Sequence, residues 1–328
     1  MAGIREGMGP LSGAVRPRSA HGISTVEILP GPVDDVLAAG TGLICPHPRS
    51  EDPMALAPTV QLRSGARLPL LGLGTWPLND DEAAATVERA ISAGYRLIDT
   101  AENYRNEKGV GEGVRRSGIP REELFITTKF NREHHSVDGV RRAFETSARL
   151  LGVDYVDLLL VHWPNPGQGR HVEAVQGIAA LMDEGLVRAI GTSNYKPSHL
   201  QDVIDAGIVP DVNQIQLDPQ RPRIVDRAFH DEHGIVTESW SPLGQGSGLL
   251  DEPAVRGIAE AHGMTPAQVV LRWHVQQGLV AIPKSSHPER LAQNLDVFGF
   301  ELSGEDVASL YLLESQEAEI VDSDEFGH

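Results

Sequence analysis

The chain has 328 residues, with 28 Lys and Arg against 46 Asp and Glu, giving a formal net charge of −18. That acidity argues against nucleic acid and anionic lipid as partners, but it leaves room for an anionic small ligand in a local basic pocket. The lone cysteine, Cys45, excludes an internal disulfide framework and Cys-based zinc sites, and no apolar run reaches the length of a membrane span.

Residues 1–53 hold eight glycines, seven prolines and no aromatic residue, so they cannot build a core and read as a disordered extension. They show no basic start followed by an apolar stretch, as a secretory leader would. Met54 is a natural start for a folded domain over 54–313. The first 53 residues are therefore expected to be a mobile extension or the product of an upstream start codon. Residues 314–328 form a short acidic tail without Lys or Arg.

From residue 54 the pattern changes. Val60 to Leu62, the turn Ser64-Gly65 and Leu68 predict a small hairpin. Residues 70–74 read as a strand and 80–93 as a helix, with Ala84, Val87 and Ile91 on one face. Strands follow at 96–99, 124–129, 156–162, 187–192, 212–215, 235–240 and 279–283. Helices fall between them at 107–117, 137–151, 171–184, 197–206, 223–233, 252–262 and 266–276, with one more at 287–296. Eight strands, each followed by a helical segment, predict a (β/α)8 TIM barrel with an N-terminal β-hairpin. A doubly wound sheet fits less well. Gly72-Leu73-Gly74-Thr75-Trp76-Pro77 puts proline where a dinucleotide fingerprint needs its third glycine.

Polar residues gather at the C-terminal ends of these strands: Asp99, Lys129, His162, Ser193, Asn194, Gln214, Trp240 and Lys284. In a barrel they open onto the face where active sites are built. Only four of the 28 cationic residues are lysines, which draws attention to Lys129 and Lys284.

Several segments resemble the aldo-keto reductase family. They are the run from Gly94 to Glu107 containing Asp99-Thr-Ala-Glu-Asn-Tyr104, the run from Leu151 to Leu158 leading into Val161-His-Trp-Pro164, and Ile282-Pro-Lys-Ser285 with Arg290 and Asn294. The stretches ending at Lys129, Asn194, Ile215 and Gly244 match in the same order, so the likeness spans about residues 58–315. The segment from Glu238 to Gly246 is most similar to bacterial 2,5-diketo-gluconate reductases.

The resemblance implies a catalytic tetrad of Asp99, Tyr104, Lys129 and His162, acting on a small-molecule carbonyl with NADPH as cofactor. The chemistry is consistent with that. A phenol of pKa near 10 is a weak acid near neutrality, and an adjacent lysine ammonium is expected to lower it. Asp99 would hold the lysine and His162 would orient the carbonyl. The resemblance also implies that Ser193, Asn194 and Gln214 hold the nicotinamide amide and that Trp240 stacks on its ring. Ser241, Leu243 and Gln245 would close over the pyrophosphate. Lys284, Ser285, Arg290 and Asn294 would grip the adenosine 2′-phosphate, unless Arg290 merely pairs with Glu289 or Asp296.

Trp76, Phe130 and Trp163 are expected to wall the substrate pocket. The pocket is expected to be open, because the tail is short and polar, and small dicarbonyls or sugar-derived ketones fit it. Other classes remain: a Schiff-base aldolase using Lys129 or Lys284, a metal-dependent hydrolase, and a non-catalytic redox-sensing subunit. The reading as a whole is of a cytoplasmic monomer with no resident metal.

Overall fold

The computed structural model describes residues 56–315 and 318–328. The expectations for residues 1–53 and for a start at Met54 lie outside them. Strands β1 (Thr59–Gln61) and β2 (Arg67–Pro69) pair antiparallel, with Val60 opposite Leu68. Strand and helix then alternate: β3 (Gly72–Gly74), α1 (Asp80–Ser92), β4 (Leu97–Asp99), α2 (Glu107–Ser117), β5 (Phe125–Phe130), α3 (Val137–Leu151), β6 (Leu158–Val161) and α4 (His171–Asp183). The second half follows with β7 (Ile190–Ser193), α5 (Pro197–Asp205), β8 (Val212–Gln216), α6 (Ile224–His233), β9 (Val236–Trp240), α7 (Pro253–His262), α8 (Pro266–Gln276), β10 (Val280–Ile282), α9 (Pro288–Leu295) and α10 (Gly304–Tyr311).

Strands β3 to β10 lie side by side in chain order, each parallel to the next. The barrel closes where Leu71 bridges Ala281 and the Gly74 amide donates to the Pro283 carbonyl at 3.1 Å. One apolar cluster fills its lower interior: Leu97, Phe125, Leu158, Leu160, Val212, Val280 and Ile282, sealed by Leu62 and Leu68 of the hairpin. A larger cluster lies between strands and helices. Burial on both faces is what a parallel barrel strand requires, so β5 and β6 are buried at every residue.

The helices agree with the sequence reading to within one residue at each end, whereas most of the strands come out shorter, β5 is shifted by one residue and β8 runs one residue longer. Val156 keeps only a lone bridge to Val187, and on the β5 side the carboxylate of Asp157 takes the Ile126 amide at 2.9 Å just before the ladder begins at Thr127 and Leu158. Helix α10 lies beyond the last element the sequence predicts. Its start is fixed by a capping box between Ser303 and Asp306. Among the described residues, no helix is long and apolar enough to cross a membrane.

Candidate active site

The parallel register brings the strand ends to one mouth. Lys129 lies in the last turn of β5, with its ammonium 0% exposed. Its three N–H groups have three acceptors: Asp99 Oδ1 at 2.6 Å, the Thr100 carbonyl at 3.0 Å and Tyr104 Oη at 3.3 Å. The ammonium also sits 5.0 Å from the centre of the Tyr104 ring. Burial alone would strip a lysine of its proton. Here the carboxylate of Asp99, with Tyr104 and Glu238, outweighs burial and holds Lys129 above its ordinary range. A Schiff-base lysine must instead be a free amine, so this geometry speaks against the aldolase reading at Lys129. Since Lys129 donates to Tyr104 Oη, the phenol's own proton is left for an acceptor in the cavity.

Tyr104 closes the short turn Glu102–Tyr104 after β4. Its phenol lies above the usual range, against the lowering that its lysine neighbour alone would suggest. Burial is the larger effect, Lys129 works against it, and the negative charges of Asp99 and Glu238 add to the rise. His162, just past β6, faces Tyr104 edge-on at 5.9 Å. Burial, then Lys129 and His328, keep it well below the usual imidazole range. A neutral ring has one N–H to donate, which suits a carbonyl oxygen.

Asp99, Tyr104 and His162 line a cavity of about 630 Å³, with Lys129 buried behind them, a size usual for small-molecule sites. Trp76, Trp163, Trp240, Ser241, Leu243, Gln245 and Lys284 are among the residues that line it. Phe130 does not take part. It is 1% exposed and packs edge-on against His135 at 6.1 Å, in the layer between strands and helices.

The tail departs from the expectation of an open site. Lys196 binds both Asp322 and Asp324 at 2.6 Å, and His199 binds Asp324 at 2.9 Å. Held this way, Phe326 packs on Trp163 at 4.8 Å and the terminal His328 reaches the cavity, 4.6 Å from the His162 ring. The Arg132 amide donates to the His328 carbonyl at 3.1 Å.

A polar chain runs through the residues expected to face a nicotinamide. Ser193 Oγ donates to the Gln214 carbonyl at 2.9 Å, and Asn194 Nδ2 donates to Ser193 Oγ and to the His162 carbonyl. Trp240 Nε1 donates to Asn194 Oδ1 at 2.9 Å, which fixes the indole plane. Gln214 Nε2 donates to Asp99 Oδ2 at 2.9 Å and to Glu238 Oε2 at 3.0 Å. With both amide hydrogens committed, its carbonyl is the group left to accept.

After β9 the loop carries positive φ at Ser241, Gly244, Gln245, Gly246 and Gly248, and Ser241 Oγ donates to Gln245 Oε1. Lys284 and Arg290 are exposed and have no carboxylate partner among the described residues, so the pairing of Arg290 with Glu289 or Asp296 is not formed. Ser285 is buried and its Oγ accepts from the His287 amide at 3.2 Å. Asn294 is buried against Tyr95. None of Ser285, Arg290 and Asn294 lines the cavity itself; they lie along the chain from Lys284 into the first turns of α9.

Sequence reasoning missed three participants: Phe326, His328 and Glu238. The tail residues carry no motif, since their position depends on Lys196 and His199 far along the chain. Glu238 did carry a signal, because an acidic residue in the middle of a strand buried on both faces has no solvent to turn to.

A sequence model described as the Aldo/keto reductase family matches residues 70–313. The chain is 46% identical over 262 residues to 2,5-diketo-D-gluconic acid reductase B of a Corynebacterium species, covering 78% of this chain and 93% of that protein. It is 42% identical over 276 residues to methylglyoxal reductase DkgA of Escherichia coli K12, covering 84% of this chain and all (100%) of that protein. Among solved structures, a mutant of Gox0644 in complex with NADPH superposes with a TM-score of 0.78 at 43% identity, covering 82% of this chain and 98% of that one. With a family match over most of its length and relatives of this identity, the chain belongs to the aldo/keto reductase family.

Proposed function

We propose that this enzyme reduces aldehydes and ketones to alcohols with NADPH, and that Tyr104 is the proton donor. The observation that carries the reading is the three-way commitment of Lys129, which donates to Tyr104 Oη and leaves the phenol proton directed at whatever occupies the cavity. When bound, NADPH supplies the hydride.

The residues of the chain do the rest. Asp99 holds the ammonium. Neutral His162 donates a hydrogen bond to the carbonyl oxygen and polarises it. Tyr104 Oη passes its proton to that oxygen as the alcohol forms, and the cation of Lys129 stabilises the phenolate left behind. Burial raises the phenol, so this stabilisation is needed during the transfer itself.

The donor set suits the cofactor. The free carbonyl of Gln214, with Ser193 and Asn194, matches a carboxamide. Trp240, pinned by Asn194, offers a flat apolar face. Ser241, Leu243 and Gln245 belong to the loop that would cover the pyrophosphate. Lys284 and Arg290, without a carboxylate partner among the described residues and set on either side of the start of α9, suit a phosphate, with Ser285 and Asn294 shaping that turn. The names of the relatives, a diketogluconate reductase and a methylglyoxal reductase, support small polar dicarbonyls as substrates. Trp76, Trp163 and the docked tail favour compounds small enough to fit beneath them.

The test is Tyr104→Phe, assayed by NADPH oxidation with methylglyoxal, a diketo-sugar and an aromatic aldehyde. Turnover should fall by roughly 10²–10⁴-fold, while NADPH binding, followed by quenching of tryptophan fluorescence, stays close to wild type. Substantial turnover in this variant would overturn the assignment.

A further inference from the structure

Glu238 is the one acidic group at the core of the site that the mechanism above does not use. Register places it on β9 beside Gln214 of β8 and Val280 of β10. The residue is 0% exposed. One carboxyl oxygen accepts from Gln214 Nε2 at 3.0 Å, and the other, Oε1, has no partner among the described residues. The same Gln214 nitrogen donates to Asp99 Oδ2, so a single amide couples two buried carboxyl groups. Among the described residues, Lys129 is the one cation in range to compensate them.

We propose that Glu238 is a positioning residue that sets the alkaline limit of carbonyl reduction, by losing its proton within range of Tyr104 and Lys129. The inference rests on the reading of Tyr104 as the acid. The groups facing Glu238 are Asp99 from β4, Tyr104 from the turn after it, Lys129 from β5 and Gln214 from β8.

Ionising Glu238 places a second negative charge near Asp99, in a position shut off from solvent and with one oxygen unpaired among the described residues. Such a group stays neutral well past the usual carboxylate range. Burial, followed by the Asp99 charge, pushes it up to about 8, against the pull of Gln214 and Lys129. Proton transfer from Tyr104 creates a phenolate, and a negative Glu238 opposes that charge. Reduction should therefore weaken as pH rises through the titration of Glu238, before Tyr104 itself ionises. A neutral Glu238 still accepts from Gln214, so the amide remains oriented at lower pH.

The experiment compares wild type with Glu238→Gln, which keeps the shape and the acceptor but cannot ionise. Three readouts are needed. The pH profile of kcat for reduction should lose its alkaline limb near pH 8, leaving only the fall that accompanies ionisation of Tyr104 at higher pH. In the protein without cofactor, the phenolate absorbance attributable to Tyr104, taken as the difference from Tyr104→Phe, should appear at lower pH in Glu238→Gln than in wild type. Infrared difference spectra of the wild type should show a neutral carboxyl band that disappears near pH 8 and is missing from the variant.

Should Glu238→Gln fail to fold, Glu238→Met serves in its place, because it is similar in length and never charged. It should displace the limb in the same sense and also raise KM for NADPH, since Gln214 loses an acceptor. An unchanged alkaline limb and an unchanged Tyr104 titration would overturn the role of Glu238 and leave Tyr104 as the acid. Retained turnover in Tyr104→Phe would overturn the reading of Tyr104 itself.

Discussion

The ion pair of Lys129 and Asp99 shows how a residue-scale arrangement couples stability to chemistry. Both side chains are almost fully buried, at 0% and 4% exposure. Removing one partner leaves the other charged with no solvent. Lys129→Met should abolish turnover and also destabilise the fold by about 3–5 kcal/mol. Adding Asp99→Asn should recover most of that stability without recovering activity. Chemical denaturation of the two variants checks this, and a double variant as unstable as the single one would show that the pair is not the source of the cost. That Asp99, Lys129 and His162 gather at one mouth was legible in the sequence, because strand ends in a barrel share one face, whereas Tyr104, on the turn after β4, was suggested only by the resemblance of its segment. The direction of the Tyr104 shift was not legible, since it depends on how deeply the phenol lies. Phe130 was misassigned for a simpler reason. Successive residues of a strand point to opposite faces, so an inward Lys129 commits Phe130 to the helix layer.

At the scale of elements, α2 is the instructive case. It carries Gly109, Gly111 and Gly113, a poor composition for a helix. Packing explains them. A Cβ on Gly109 would lie 2.1 Å from the Asp80 carbonyl, and one on Gly111 would lie 2.1 Å from the Leu151 carbonyl. The glycines let α1 and the end of α3 approach the backbone of α2, so that Asn106, just before the helix, donates from Nδ2 to the Thr75 and Leu78 carbonyls and steadies the loops on either side of the cavity. Gly111→Ala should therefore destabilise by about 1–3 kcal/mol. Gly257 in α7 has open space around its Cβ position, and Gly257→Ala should stabilise by about 0.5–1 kcal/mol. Opposite signs in the two melting curves would separate close packing from helix propensity; equal signs would refute the packing account. Helix positions were readable from apolar spacing, which is local. Strand ends were less so, because a ladder begins where a neighbouring strand allows it, as Asp157 shows.

At the scale of the whole molecule, the tail is the least local feature and the one the sequence conveyed least. Its short, polar sequence suggested an open pocket, yet Asp322 and Asp324 converge on Lys196, one of the chain's four lysines. Hydrogen bonding to Lys196 holds both carboxyls below their usual range. By linkage, their contribution to docking is fully present above the ordinary carboxylate range and is lost as pH falls through the lowered values. The partners are largely exposed, so each contact is weak and sensitive to salt. Lys196→Ala should release Phe326 from Trp163 and His328 from His162, raising KM for small aldehydes by roughly threefold per lost pair, with a smaller effect on kcat because the tetrad is untouched. In the wild type, added salt should raise KM toward the value of the variant, while the variant itself responds little. Fluorescence of Trp163 would report the same release without substrate. An identical salt response in both proteins would mean that the ion pairs do not hold the tail, and that packing of Phe326 on Trp163 alone keeps it over the cavity.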